Sequence, residues 1–171
     1  MYKDIISKLY LELNIKQYNG NVASYIPELK SISKDKFGIH ISGIHDDSFG
    51  IGDFKEKFSI QSISKVLSFC LAYKKLGEAI WTRLGVEPSG TAFNSLIQIE
   101  TNNGIPRNPF INSGAIVICD ILISNLNNPR EEFLEFCREA SNNNKIYYSE
   151  KIAKSEKSVG FRNIALCNFL K

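Results

Sequence analysis

The chain is 171 residues long, with 43% hydrophobic, 11% aromatic and 23% charged positions. These are the proportions of a globular domain, and they exclude disordered, collagen-like and low-complexity classes. The length suits one domain that buries roughly two thirds of its unfolded surface. Lys and Arg number 21 against 18 Asp and Glu, a formal net charge of +3. No basic block gathers that excess, so charge does not point to nucleic acid.

Charges at Lys3, Asp4 and Lys8 interrupt the opening segment where a signal peptide needs an unbroken apolar core. No apolar run approaches the roughly 18 to 20 residues that span a bilayer, so no membrane partner is expected. Cys70, Cys119, Cys137 and Cys167 are at least 18 positions apart, which excludes zinc-ligand spacing. The expectation is four buried thiols acting as small hydrophobes in a reducing cytoplasm.

Ile5, Ile6, Leu9, Leu13 and Ile15 stand near helical spacing within 4–18, stopped by Asn19-Gly20, and a second short helical stretch covers Val22 to Leu29. From Phe37 the period changes to alternation, which predicts a hairpin with strands over 37–44 and 48–53 and a turn at Asp46-Asp47. His40 and His45, the only two histidines, read as surface or packing residues of that hairpin. Val66 to Tyr73 is apolar almost all round, which predicts a helix buried on most faces and ended near Gly77. A brief helix over Glu78 to Leu84 follows. Residues 86–112 are rich in Pro, Gly and Asn and lack periodicity, the mark of a functional loop. An apolar helix over Ser113 to Ile123 comes next. Asn128-Pro129 then caps a helix reaching Ala140. Short helices near Ser149–Lys154 and over Phe161–Lys171 complete the chain. Many short helices thus accompany two convincing strands, too few for a stable sheet by themselves.

Ser62-Ile63-Ser64-Lys65 fits Ser-x-x-Lys. On a helix, positions three apart share a face, so hydroxyl and amine can meet. A serine becomes nucleophilic when a neighbouring base takes its proton. Lysine serves as that base when burial and a helix N-terminus disfavour its charge. The same helix start supplies a backbone N–H for an oxyanion. Ser31–Lys34 and Ser33–Lys36 fit the tetrapeptide too, in a polar loop. Against the catalytic reading stands a plainer one, a capping serine and a snorkelling lysine.

Longer words decide between them. Gly20-Asn-Val-Ala-Ser-Tyr-Ile-Pro27, Phe58-Ser-Ile-Gln-Ser-Ile-Ser-Lys65, Glu87-Pro-Ser-Gly-Thr-Ala-Phe-Asn-Ser95 and Asn103-Gly-Ile-Pro-Arg-Asn-Pro-Phe-Ile-Asn112 resemble, in order, the bacterial serine-dependent glutaminase family. The closing Ser155-Glu156…Arg162-Asn163-Ile-Ala segment is similar to that family's Ser-Glu…Arg-Asn-x-Ala. The resemblance runs from about residue 20 to the end. It implies hydrolysis of L-glutamine to L-glutamate and ammonia on a serine β-lactamase-like α+β fold, without metal or organic cofactor. By motif, Ser62 is the nucleophile and Lys65 its proton acceptor, while Ser62, Asn112, Glu156 and Asn163 hold the substrate. The chemistry suits: Glu156 can pair with an α-ammonium, and amide side chains offer both donors and acceptors. The plainer alternatives are a helix cap for Asn112, a solvated acid for Glu156 and a packed polar residue for Asn163. Arg107 and Asn108 are read as holding the irregular segment in shape.

The resemblance also implies a shortfall. The chain stops a little past the middle of a family member, before the family's later tyrosines and remaining strands. Its whole length, 1–171, therefore reads as one incomplete domain: N-terminal helices over 1–35, a hairpin over 37–54, and a helical region over 62–171. No Lys-[Ser/Thr]-Gly occurs, and Ser141-Asn-Asn143, which fits the Ser-x-Asn pattern of penicillin-recognising enzymes, lies in an Asn run between helices. Three readings follow: a glutaminase polypeptide completed by a second chain or by self-association, an inactive remnant, or a non-enzymatic glutamine-binding module. A penicillin-recognising acyl enzyme is a distant fourth.

Overall fold

The computed structural model describes residues 2–15, 20–44 and 48–170, in two compact units, Met1–Ser59 and Ile60–Lys171. No helix among the described residues is long and apolar enough to cross a membrane.

In the first unit, α1 (Tyr2–Ile15) lies against a hairpin of β1 (Gly38–Ser42) and β2 (Ser48–Gly52). A short helix, α2 (Pro27–Lys30), separates them; the helical stretch expected from Val22 is only this one turn. The strands are antiparallel, with Gly38 opposite Gly52 and Ser42 opposite Ser48. β1 is three residues shorter than the alternation suggests and β2 one residue shorter. The Asp46-Asp47 turn and His45 lie outside the described residues, as does the end of the helix expected to reach residue 18. Tyr10 of α1 stacks on Phe37 with ring centroids 5.1 Å apart. Gly52 takes φ +73°, and a Cβ there would meet the Phe37 carbonyl at 2.3 Å, so this position needs glycine. His40 stacks on Phe54 and shares a 3.0 Å hydrogen bond with the Ser48 hydroxyl, a packing role. No third strand joins the pair among the described residues.

The second unit is helical. A 3-10 turn, Gln61–Ile63, leads into α3 (Ser64–Leu76), and a further 3-10 segment covers Gly77–Thr82 where a brief helix is expected. The irregular stretch holds one short helix, α4 (Ile97–Thr101). Then come α5 (Asn112–Asn125), α6 (Pro129–Ser141), α7 (Glu150–Val159) and α8 (Phe161–Phe169). On α5, Gly114, Val117, Ile118, Ile121 and Leu122 are buried, the three-and-four spacing of one helical face. That face meets Leu71 and Ala72 of α3, with Ile80, Leu84 and Leu126 closing the core.

Two sequence expectations change here. α3 buries only Leu71 and Ala72, while Val66, Cys70 and Tyr73 are exposed. An all-round apolar composition shows that a helix has more than one face to cover. It does not show that the faces are covered within this chain. For the same reason Cys70, Cys119 and Cys167 are exposed, and only Cys137 is buried. α7 also runs on to Val159, five residues beyond the expected end, because nothing before Gly160 breaks it.

Caps differ in detail from the sequence pattern. Asn128 makes no side-chain cap. The Glu132 carboxylate instead accepts from the backbone N–H of Asn127 and Asn128, at 2.9 and 3.0 Å, which fixes the chain as it enters the helix. Asn142 ends α6 in the left-handed conformation, φ +47°, a regular helix stop. The Ser141-Asn-Asn143 match is thus part of that stop.

The fold makes one sharp prediction. A Cβ at Gly114 would lie 1.9 Å from the Asn108 carbonyl oxygen. A helical Gly→Ala exchange ordinarily stabilises by about 1 kcal/mol. Here overpacking against backbone outweighs that gain, and Gly114→Ala lowers stability by roughly 1–3 kcal/mol, read as a lower urea midpoint. An unchanged or raised midpoint contradicts the packing.

Candidate active site

The irregular segment positions the site. Gly85 N–H donates to the Pro106 carbonyl at 2.8 Å and Glu87 N–H to the Arg107 carbonyl at 2.9 Å, pairing the segment's two ends. A Cβ at Gly85 would sit 2.7 Å from the Arg107 oxygen. Asn108 then fixes the approach to α5. Its Nδ2 donates to the Glu87 carbonyl at 2.8 Å, and its Oδ1 accepts from Phe110 and Ile111 N–H at 2.9 and 3.2 Å. Arg107 reaches the Pro88 carbonyl at 3.4 Å. Both residues thus shape the loop.

This loop aims the Phe110 carbonyl at Lys65, the second residue of α3. The Lys65 ammonium donates to that carbonyl at 3.1 Å and to Asn112 Oδ1 at 2.7 Å, and lies 5.9 Å from the centroid of the Phe93 ring. Phe93 also supplies the carbonyl that accepts from Asn112 N–H, at 2.9 Å. Asn112 Nδ2 in turn donates to Asn163 Oδ1 on α8 at 2.9 Å. One chain of hydrogen bonds therefore joins α3, α5 and α8.

The geometry weighs on the plainer readings. Asn112 opens α5 but makes no cap; its side chain turns to Lys65 and Asn163. Ser62 makes no cap either, and Lys65 is half-buried rather than snorkelled into water. Of the five sequence candidates, three are hydrogen-bonded together: Lys65, Asn112 and Asn163. Ser62 stands one turn before Lys65, exposed and without a side-chain partner among the described residues. Glu156 is half-buried on α7, and Gly160 separates that helix from α8, which carries Asn163; its carboxylate joins neither Lys65 nor the two asparagines. The other two Ser-x-x-Lys matches are simple turns, with Ser31 Oγ donating to the Glu28 carbonyl and Ser33 Oγ accepting from Asp35 N–H.

Sequence reasoning missed three contributors. The carbonyls of Phe110 and Phe93 act through the backbone, which leaves no trace in residue type. The third is Gln61, whose φ of +44° is strained for a residue with a Cβ, by about 1–3 kcal/mol. That strain stands immediately before Ser62, where a glycine would have been the usual signal.

Loss of water around Lys65 lowers its pKa from the ordinary 10.5. The unfolded chain then binds more protons than the folded one between the folded pKa and 10.5. Lys65's contribution to stability accordingly rises as pH rises through that window. NMR titration of the Lys65 side chain should give a midpoint below 10.5; a midpoint at or above 10.5 contradicts a desolvated site.

Among the described residues no three His, Cys, Asp or Glu side chains gather as a metal site. Residues 20–171 match the glutaminase family model. A glutaminase of Christiangramia forsetii is 50% identical over 170 residues, covering 99% of this chain and 56% of the relative. One from Saccharophagus degradans is 52% identical, covering 99% and 55%. Among solved structures, the probable glutaminase ybaS superposes with a TM-score of 0.90 at 25% identity, over 98% of this chain and 54% of the other. A Bacillus glutaminase gives 0.73 at 32% identity, over 85% and 50%. The chain thus spans about half the length of the relatives it matches, with a fold of the serine β-lactamase-like class. The chain belongs to the glutaminase family.

Proposed function

We propose that this chain supplies the serine, the lysine and the substrate-holding residues of a site that hydrolyses L-glutamine to L-glutamate and ammonia. The observation that supports it best is the hydrogen-bonded set Lys65–Asn112–Asn163. Three residues taken from distant words, 47 and 51 positions apart, converge through side-chain atoms, and the Ser-x-x-Lys serine precedes Lys65 by three positions.

In this reading Ser62 Oγ attacks the carboxamide carbon and its proton passes to a neutral Lys65 amine. The proton then goes to the departing ammonia as the C–N bond breaks. Water hydrolyses the resulting ester, releasing glutamate and restoring Ser62. Desolvation assists by raising the neutral fraction of Lys65. Glu156 receives the α-ammonium, and Asn112 and Asn163 meet the polar oxygens. No cofactor is required for this sequence of steps.

A second polypeptide, or another copy of the chain, completes the site in this reading. Side chains around the candidate residues favour that: Ile63 and Val66 beside Lys65 are 60% and 51% exposed, and Phe161 and Ile164 beside Asn163 are 74% and 50% exposed. Apolar groups flanking a polar site are the kind of surface that another element covers. Four free thiols fit a cytoplasmic setting.

The test is ammonia release from L-glutamine by the full chain beside an identically prepared Ser62→Ala. Release should fall by about 1,000-fold or more in the variant. Equal release from both proteins contradicts the nucleophile, and release from neither contradicts activity of the chain alone.

A further inference from the structure

We propose that Ser64 is a positioning residue for the serine that precedes it: its hydroxyl holds Gln61 in the left-handed conformation and so fixes the direction of the peptide that enters Ser62. The part played by Ser62 rests on the glutamine reading, but the hold of Ser64 on Gln61 follows from the backbone and its hydrogen bonds.

Among the described residues, Gln61, Asn103 and Asn142 take a positive φ without being glycine. Asparagine visits this region readily because its short side chain bonds locally, whereas glutamine has no such tolerance. Ile60 and Ile63, on either side, are right-handed at φ −71° and −60°, so Gln61 is an isolated reversal. A residue so placed is held by its surroundings rather than by its own preference. The Gln61 carbonyl accepts from the Ser64 hydroxyl at 2.7 Å and from the Ser64 backbone N–H as well. Hydroxyl bonds of the same reach occur elsewhere, from Ser68 to the Lys65 carbonyl and from Ser158 to the Ser155 carbonyl. Neither of those acceptors is left-handed. What sets Ser64 apart is that its hydroxyl closes on a strained residue.

The consequence reaches Ser62 through one peptide. A trans peptide is planar, and its C=O and N–H point to opposite sides. Holding the Gln61 oxygen toward Ser64 therefore turns the Ser62 N–H away from Ser64. The Ser62 Cα lies in the same plane, so the point from which Oγ departs is fixed with it. Ser64 reaches neither Oγ nor Lys65 Nζ by a hydrogen bond of its own; it acts by orienting the residue that carries the hydroxyl. The bond contributes direction more than stability. What the hydroxyl gains at the Gln61 carbonyl is offset by the strain that it maintains there, so removing both together leaves the stability of the chain nearly unchanged.

The experiment compares the full wild-type chain with Ser64→Ala, with Ser64→Thr, which keeps a hydroxyl, and with Ser68→Ala, which removes an ordinary bond of the same reach. A positive φ brings a residue's amide and α protons close, so NMR without ligand reads it as a strong intraresidue NOE at Gln61. That NOE should be strong in the wild-type, Ser64→Thr and Ser68→Ala chains and weak in Ser64→Ala, whose urea midpoint should match the wild type. A weak NOE in the wild-type chain, or a strong one persisting in Ser64→Ala, overturns the proposal. A Ser64→Ala chain that unfolds or loses stability also overturns it, since the hydroxyl is then structural. A small fluorophosphonate next reads Ser62 itself: Oγ forms a bond to phosphorus, fluoride leaves, and mass spectrometry follows the adduct. Its rate should fall about tenfold in Ser64→Ala, recover in Ser64→Thr and stay unchanged in Ser68→Ala. Equal rates in the wild-type and Ser64→Ala chains overturn the positioning role. No adduct at Ser62 in the wild-type chain overturns the serine as nucleophile, while the NOE still decides the hold on Gln61.

Discussion

The hydrogen bond from Lys65 to Asn112 is where the packing of this chain becomes chemistry. It holds a half-buried ammonium, whose removal from bulk water is unfavourable unless acceptors replace the lost hydration. Asn112 Oδ1 and the Phe110 carbonyl are those acceptors. Each is placed by a different part of the second unit. Asn112 is carried by α5, whose buried face meets Leu71 and Ala72 of α3. Phe110 is carried by the loop that Asn108 ties to Glu87. Gly114 lets that loop come against α5 at all, since any Cβ there would strike the Asn108 carbonyl. A change in helix packing is therefore felt at the ammonium, and through Asn112 at Asn163 on α8.

The long irregular segment is accordingly a scaffold with a defined shape. Backbone bonds pair Gly85 with Pro106 and Glu87 with Arg107, and side chains of Arg107 and Asn108 close on the carbonyls of Pro88 and Glu87. The strained Gln61 backbone just ahead of Ser62 is a second local constraint of the same kind. Such strain persists where surrounding structure over-determines a residue, and it gathers at working sites.

The hairpin was readable because Phe37, Ile39 and Ile41 alternate, and alternation has only one regular interpretation. The α5 stripe and the Pro129 helix start were readable for similar reasons of period and capping. The extent of burial on α3 was not. Periodicity reports which residues are apolar, and the elements that cover them lie elsewhere, so Val66 and Cys70 were expected inside and are exposed. At the site, Ser-x-x-Lys announced Lys65, but its partner stands 47 residues away. Only the glutaminase-like words joined the two. Asn128, expected to cap its helix, makes no side-chain cap, and Glu132 instead binds the backbone N–H groups of Asn127 and Asn128, because the pattern shows who can cap and the local backbone decides who does. The carbonyls of Phe110 and Phe93 had no signal at all.

In the glutamine reading, Asn112 organises the site by linking Lys65 to Asn163. Calorimetric titration of L-glutamine into the full chain and into Asn112→Ala, with folding of both checked by circular dichroism, tests it most directly. Saturable binding to the wild-type chain is expected, with an affinity weakened at least about tenfold in the variant, the effect of losing bonds to a charged and a polar partner. Equal affinities in two folded proteins would contradict it.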